Sequence, residues 1–195
     1  RSKFLHPRTV KPKRMQAPNF WHRPSITGTL LSPLSMFWRA GSALRGFCSA
    51  PPFVASVPVI CVGNFNIGGA GKTPLVVDIA HALYSSDQKP HLLTRGFGGS
   101  LRGPVLVDLQ SHVASEVGDE PLLLASAAPT WVSHNRAQGA QQAIKNGASI
   151  IVMDDGFQNS TIVKSFSIIA VDGGYGFGNG KIIPAGPLRE NVETG

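Results

Sequence analysis

The feature that most constrains the fold is a glycine-rich turn set between an apolar run and a helical pattern. Residues 57–62 read VPVICV, a β-branched run typical of a buried strand. Glycines are dense from Gly63 to Gly71, and apolar side chains then recur at helical spacing over residues 73–82. This order predicts a strand, a loop and a helix in direct succession.

The end of the turn, Gly-Gly-Ala-Gly-Lys-Thr at positions 68–73, has the chemistry of a phosphate-binding loop. Glycines let backbone N–H groups approach phosphate oxygens, and the N-terminus of the next helix attracts negative charge. We expect Lys72 to reach the terminal phosphates and the Thr73 hydroxyl to contact Mg²⁺. Asn66 stands where the strict motif has glycine, and the alternative is an ordinary turn with an exposed lysine. The predicted nucleotide-binding residues of the loop are Asn66, Ile67, Gly68, Gly69, Ala70, Gly71, Lys72 and Thr73.

A second apolar run, residues 149–153, ends in the acidic pair Asp154 and Asp155. A buried strand delivers a carboxylate to its C-terminal end, where binding sites in parallel sheets lie. There it can hold Mg²⁺ directly or through water, as nucleotide-dependent phosphoryl transfer requires. An acidic strand end alone is more often a turn or a helix cap, but a phosphate loop upstream favours the metal interpretation.

Further elements extend this pattern along the chain. Strands are predicted over residues 91–94, 105–108 and 166–171, and helices over 120–127 and 135–146. Strands that alternate with helices indicate an α/β fold with a mostly parallel sheet and helices on both faces.

Positive charge is concentrated at the N-terminus. The formal net charge is +7, yet residues 1–77 contain ten Lys and Arg without any Asp or Glu, and the rest of the chain carries an acidic excess. Such a one-sided basic segment is typical of contact with a polyanion or an anionic membrane surface. Residues 1–14 lack apolar periodicity and are predicted to be a disordered, solvated extension, with Met15 as a candidate start.

Residues 15–50 are predicted to form an amphipathic helical segment, followed by a core domain over 51–195. The amphipathic segment has an apolar stripe with helical spacing, flanked by the basic residues Arg39 and Arg45. The stripe consists of Leu30, Leu31, Leu34, Phe37, Trp38, Gly41 and Leu44. Most such stripes pack on their own domain, which is the favoured interpretation. The alternative is a helix that lies in a lipid headgroup layer. No run reaches the roughly 18–20 apolar residues of a membrane span.

Three weaker motifs and the cysteines complete the survey. Asp119 precedes a predicted helix and by itself is most simply an N-cap. Arg95 begins RGFGG, which could bind a phosphate or form a plain turn. A long glycine- and proline-rich loop over residues 176–190 ends in an adjacent cation and acid, and loops of this length are often functional. The two cysteines are too few for a disulfide framework, and Cys61 is expected in the core.

Taken together, five segments resemble the tetraacyldisaccharide 4′-kinases, the lipid A kinases of Gram-negative bacteria. PVICVGNFNIGGAGKTP, LLTRGFGG, EVGDEPLLLA, IIVMDDGFQN and GFGNGKIIPAGPLRE occur in that family's order, and the resemblance covers residues 15–191. It implies transfer of the γ-phosphate of ATP, with Mg²⁺, to the 4′-hydroxyl of an acylated glucosamine disaccharide 1-phosphate. It also implies a peripheral location on the cytoplasmic face of the inner membrane. No nucleic acid and no protein partner is implied.

The resemblance also implies roles for individual residues. Asp119 matches the family's catalytic aspartate, which acts together with the loop lysine, Lys72. Arg189 matches a residue near the nucleotide. The residues matching the metal-associated positions are Thr73, Asp154, Asp155 and Glu190.

The chain departs from the family in three places. Asn159 stands where many members have histidine, and Asn191 where proline is usual. The family continues into a smaller C-terminal subdomain that supplies a histidine partner for the catalytic aspartate, and this sequence ends before it. The expectation is therefore a fragment or a catalytically defective copy.

Two other classes of protein remain as alternatives. A switch or partitioning ATPase would use the same loop, although many of these have a lysine where this chain has Ile67. A non-enzymatic membrane-surface protein would use the basic N-terminal segment and keep the loop as a remnant.

Overall fold

A computed structural model describes residues 18–47, 51–68 and 71–192. The predicted extension 1–14 lies outside this part of the chain, as do Cys48 and the loop residues Gly69 and Ala70. The side chains of Arg39, Leu44 and Arg45 lie outside it as well.

A six-stranded sheet forms the centre of the molecule, with the strand order β3-β4-β2-β5-β1-β6. β3 is antiparallel to β4, and the other neighbouring strands are parallel. The strands are β1 (Val59–Gly63), β2 (Pro90–Thr94), β3 (Val105–Leu106), β4 (Thr130–Val132), β5 (Ile150–Asp154) and β6 (Phe166–Ile169). The predicted mostly parallel α/β fold is confirmed.

Helices cover both faces of this sheet. A short 3-10 helix, Asn19–Trp21, precedes them. The α-helices are α1 (Ile26–Leu30), α2 (Ser32–Phe47), α3 (Lys72–Ser85), α4 (Ala114–Val117), α5 (Asp119–Ala125) and α6 (Arg136–Lys145). Helices α3 and α5 pack on one face, and α6 packs on the other.

Two apolar layers lie between the sheet and these helices. Because side chains alternate along a strand, consecutive residues of β2 and β5 enter opposite layers. Leu92 joins the layer under α3 and α5, whereas Leu93 joins the layer under α6, and both are fully buried. Each such side chain contributes about 1.5–3 kcal/mol on burial. A Cβ at Gly139 would lie only 2.6 Å from the Leu93 Cδ1 atom, so this glycine permits the close approach of α6.

The structure also corrects several sequence-based boundaries. The expected strand 105–108 is reduced to the two residues of β3, while β4 and α4 were not predicted. β4 has only three residues, too few to show a period, and its place is fixed by parallel pairing of Leu92–Thr94 with Thr130–Val132. Cys61 is buried in the core, as predicted.

The N-terminal helices dock on the glycine- and proline-rich loop through hydrogen bonds. The Trp21 indole Nε1 donates to the Pro184 carbonyl over 3.1 Å, and the Ser35 hydroxyl donates to the Ile182 carbonyl over 2.7 Å. Their apolar stripe stays outside: Leu30 is 73% exposed and Phe37 is 78% exposed. The favoured expectation that the stripe packs on the domain's own core is therefore wrong for these residues. In the described ranges, every helix is too short or too polar to cross a membrane.

Candidate nucleotide-binding site

The loop between β1 and α3 lies at the C-terminal edge of the sheet, beside the end of β5. β1 and β5 are parallel neighbours, and Val62 is in register with Asp154. This pairing brings the glycine-rich loop and the acidic pair to one place, as the sequence predicted. Gly71 caps the start of α3 with a φ of 76°, in the left-handed region that glycine adopts readily.

Lys72, the first residue of α3, is folded back over this loop. Its Nζ atom lies 3.1 Å from the Asn64 Oδ1 atom and 3.4 Å from the Gly68 carbonyl oxygen. The Asn64 amide in turn donates to the same carbonyl over 3.0 Å. Because Asn64 is buried, this network holds the ammonium group at a fixed position above the loop.

Asp155 lies between two cations. Its carboxylate is 3.7 Å from the Lys72 Nζ atom and 3.2 Å from an Arg189 guanidinium nitrogen. Its backbone has a φ of 48°, in the left-handed region that aspartate enters more often than most residues with a side chain. Two positive charges therefore converge on one carboxylate next to the phosphate loop.

Asp154, in contrast, points into the protein. It is only 1% exposed, and its Oδ1 atom has no hydrogen-bond partner within the described part of the chain. Burial, followed by the nearby acids Glu120 and Asp155, raises the pKa of this carboxyl to about 6. A carboxylate in these surroundings gains from a cation that neutralises it.

Arg136 supports the end of β5 from the opposite face of the sheet. Its guanidinium donates to the Asp154 carbonyl over 3.2 Å and to the Ser133 carbonyl over 3.4 Å, and the residue is buried. Burial lowers the pKa of Arg136 to about 10, so the group stays protonated at neutral pH. It thus places a buried positive charge behind Asp154.

The residues present fit a bound Mg²⁺. An unpartnered buried carboxylate oxygen of Asp154 is available, and Thr73 follows Lys72 as a half-buried residue of the first turn of α3. Over residues 18–47, 51–68 and 71–192 there is no cluster of three or more His, Cys, Asp or Glu side chains that could hold a metal. The buried Asp154 carboxylate beside the glycine-rich loop suits Mg²⁺, which proteins commonly bind through one or two carboxylates and substrate phosphates.

Gln158 links the end of the long loop to the site. Its amide nitrogen donates to the Glu190 carboxylate over 2.8 Å and to the Asn64 carbonyl over 3.2 Å. Its Oε1 atom accepts from Arg189 over 3.2 Å. The structure thereby brings the predicted residues Arg189 and Glu190 next to Lys72 and Asp155.

Asp119 lies apart from this ion-pair cluster. It is exposed and is the first residue of α5, whose N-cap is Gly118, so the expectation of an N-cap at Asp119 is wrong. A Cβ at Gly118 would lie 2.5 Å from the Phe97 carbonyl oxygen, so the loop that follows Arg95 packs directly beside it. The next residue, Glu120, is close enough to Asp154 to raise its pKa. Asp119 is therefore at the same edge of the sheet as the phosphate loop.

Three site residues were not identified from the sequence: Asn64, Arg136 and Gln158. Asn64 follows β1 directly, and Gln158 stands inside the GFQ part of a motif that the resemblance used. For Arg136 the sequence carries no signal, because its partners are carbonyls at the ends of β4 and β5.

A parallel sheet with a glycine-rich loop, a loop lysine and a buried acidic strand end defines a P-loop NTPase-like protein. Within that class, residues 27–195 match the model of the tetraacyldisaccharide-1-P 4′-kinase family, and the chain belongs to this family.

Individual relatives agree with this assignment. Tetraacyldisaccharide 4′-kinase of Parvibaculum lavamentivorans is 52% identical over 185 residues, covering 92% of this chain and 54% of the relative. The enzyme of that name from Jannaschia sp. is 49% identical over 182 residues, covering 93% and 55%. The crystal structure of LpxK from Aquifex aeolicus in complex with ATP superposes with a TM-score of 0.73 at 27% identity, covering 85% of this chain and 55% of that one. The chain thus spans about half the length of these relatives.

Proposed function

We propose that this chain is the nucleotide-binding part of a kinase that transfers the γ-phosphate of ATP to the 4′-hydroxyl of a tetraacyldisaccharide 1-phosphate. The observation that carries the proposal is the convergence of Lys72 and Arg189 on Asp155 beside the glycine-rich loop. The two cations share this one carboxylate. A polyphosphate at this point would offer them a stronger anion, and bidentate pairing of arginine with phosphate is geometrically favourable.

The proposed roles follow from where each group lies. Lys72 and the loop amides stabilise charge on the transferring phosphoryl group, as preorganised donors do in phosphoryl transfer. Arg189 contacts the nucleotide phosphates. Asp119 orients the sugar hydroxyl and accepts its proton, for which its exposed position at the start of α5 leaves room. Bound Mg²⁺ would be held by Asp154 and Thr73 and would neutralise charge on the phosphates, while Asp155 and Glu190 stay paired with Arg189 and Gln158.

A hybrid protein tests the proposal directly. Residues 1–195 would replace the matching part of the Parvibaculum relative, whose remaining part completes the length that this chain does not span. We expect the hybrid to transfer ³²P from ATP to the lipid disaccharide, and ATP hydrolysis without transfer would instead favour a switch or partitioning ATPase. If neither nucleotide binding nor transfer occurs although the hybrid is folded, the non-enzymatic alternative is favoured.

Asp154→Asn removes a charge from the proposed Mg²⁺ site while keeping the shape of the side chain. We expect the hybrid with this change to lose about 10²-fold or more of its activity and to need more Mg²⁺ for half-maximal rate. Asp87→Asn is the matched control, because Asp87 is an exposed acid just beyond the far end of α3, about 20 Å from the loop. An unchanged Mg²⁺ titration would make Asp154 a structural residue.

We also propose that residues 26–46 hold the protein at an anionic membrane surface, on the cytoplasmic face of the inner membrane. The support is the exposed apolar side of α1 and α2, formed by Ile26, Leu30, Leu34, Met36 and Phe37. Basic residues lie in the same part of the chain. An amphipathic helix with these properties lies in the headgroup layer.

A double substitution, Leu30→Ser with Phe37→Ser, tests membrane contact without deleting the segment. Both side chains are exposed, so we expect the fold to persist while binding to anionic vesicles falls several-fold in a sedimentation assay. Binding of the unaltered chain should weaken at high salt, since screening acts within about 8–10 Å at physiological ionic strength. Phe166→Ser is the control, because this exposed aromatic belongs to β6. Equal vesicle binding by the double variant would remove this segment from the membrane site.

A further inference from the structure

The last part of the long loop, residues 181–189, lies between the phosphate loop and the N-terminal helices. On the phosphate-loop side, the Arg189 amide donates to the Phe65 carbonyl over 2.7 Å. The Ile67 amide donates to the Pro187 carbonyl over 2.9 Å. The long loop is therefore joined by its backbone to the residues that lead into the glycine-rich turn.

On the other side, described side chains of the N-terminal segment make three hydrogen bonds to backbone carbonyls of the same loop. Trp21 and Ser35 bond to Pro184 and Ile182, as described above. The third bond is nearest the site: the Trp38 indole Nε1 donates to the carbonyl oxygen of Arg189 over 3.0 Å. Of the three, only the Trp38 bond reaches a residue of the ion-pair cluster.

Arg189 is consequently held at both of its peptide groups. Its amide is fixed by Phe65 and its carbonyl by Trp38, while its guanidinium contacts Asp155 and Gln158. A free arginine side chain has many rotamers, and their loss opposes each contact that it makes. Fixing the backbone on both sides limits where the guanidinium can reach and so lowers that cost.

We propose that Trp38 is a positioning residue for Arg189, through which the N-terminal helices set the geometry of the nucleotide site. The indole has one donor, and this bond uses it. Trp38 lies on α2 next to Phe37 of the exposed apolar side, so one helix presents a candidate lipid contact and an anchor for the phosphate-binding arginine. The inference rests on the proposed function only for the role of Arg189 toward nucleotide.

Hydrogen exchange without nucleotide tests the positioning by itself. Trp38→Phe in the whole 195-residue chain keeps the aromatic ring and removes the N–H donor. Loss of one partly exposed hydrogen bond should speed exchange of the Leu188 and Arg189 amides roughly two- to tenfold. Trp21→Phe is the matched control, because it removes the same kind of donor from Pro184 and should leave the Arg189 amide near its original rate. Unchanged exchange at Arg189 in Trp38→Phe, or an equal change in Trp21→Phe, overturns the proposal.

Nucleotide affinity provides the second readout, measured by calorimetry with Mg-ATP on the same chain. We expect Trp38→Phe to raise the Kd roughly two- to tenfold, and to have no further effect when Arg189 is already alanine. An equal loss in the Arg189→Ala background would show that the effect bypasses Arg189 and would overturn the proposal. If the unaltered chain and the hybrid both fail to bind Mg-ATP, the proposed function fails, and the exchange result still decides whether Trp38 positions Arg189.

Discussion

Replacing Lys72 with alanine is expected to weaken Mg-ATP binding about 100-fold or more while the domain stays folded. The ammonium group is the side-chain cation within the loop itself, held 3.1 Å from Asn64 and 3.7 Å from Asp155. Hydrogen bonds to charged groups contribute about 1.5–3 kcal/mol each, and one or two such contacts with phosphate account for this factor. Calorimetric titration with Mg-ATP measures the change.

The fold should tolerate this substitution. Lys72 lies at the N-terminus of α3, where alanine is a good helix former. The buried Asn64 oxygen loses a donor, which costs about 1 kcal/mol, and Asp155 keeps its contact with Arg189. Lys145→Ala, at the exposed end of α6, controls for loss of a positive charge. If Lys72→Ala binds Mg-ATP as tightly as the unaltered chain, the glycine-rich turn is not a nucleotide site.

Long buried elements were predictable from the sequence because their pattern is local. β1 and β5 are continuous apolar runs. The glycines after β1 identify the loop that joins β1 to α3. β3 and β4 were misjudged because they have two and three residues, and their existence depends on the neighbouring strand. For such short strands, pairing decides the structure and periodicity carries little information.

The site was predictable where the chemistry lies in adjacent residues, and not where it depends on distant ones. Lys72, Thr73 and the acidic pair follow from motif and strand end. The sequence does not show that Asp155 pairs with Arg189 while Asp154 is buried near Glu120. Both contacts depend on residues that are far away along the chain. Arg136 likewise becomes a site residue only through its bond to the Asp154 carbonyl.

The N-terminal helices show why an amphipathic pattern alone could not distinguish core packing from a membrane surface. The expectation of core packing assumed that the apolar stripe would make the contact. The helices dock instead through two donor groups, the Ser35 hydroxyl and the indole N–H of Trp38, which bond to carbonyls of the long loop. Leu30, Leu34 and Phe37 of the stripe are thereby left exposed. A pattern of hydrophobicity does not report such side chain to backbone bonds, because their acceptors are backbone groups about 150 residues away in the sequence.

β6 forms one edge of the sheet and leaves an apolar surface exposed. All four residues of β6 are exposed, and Phe166 is 69% exposed although the strand pairs with β1. Exposed apolar edge strands are normally covered by another element. The chain spans about half the length of the matched relatives.

The 195-residue chain is therefore expected to bind Mg-ATP weakly and to show negligible 4′-kinase activity, at least 10²–10⁴-fold below the hybrid. Phosphoryl transfer needs more than a phosphate loop, because the acceptor hydroxyl must be held in line and water must be excluded. Asp119 is exposed in these 195 residues, and positioned acid–base help is worth about 10²–10⁴-fold by itself. The measurement is ³²P transfer from ATP to the lipid disaccharide by the chain and by the hybrid at equal concentration, with Asp119→Asn of the hybrid as a second comparison.

We expect Asp119→Asn to remove most of the hybrid's advantage while leaving its affinity for Mg-ATP unchanged. Turnover by the chain equal to that of the hybrid would show that residues 1–195 suffice for catalysis, and Asp119 would then act without a partner from the rest of the protein.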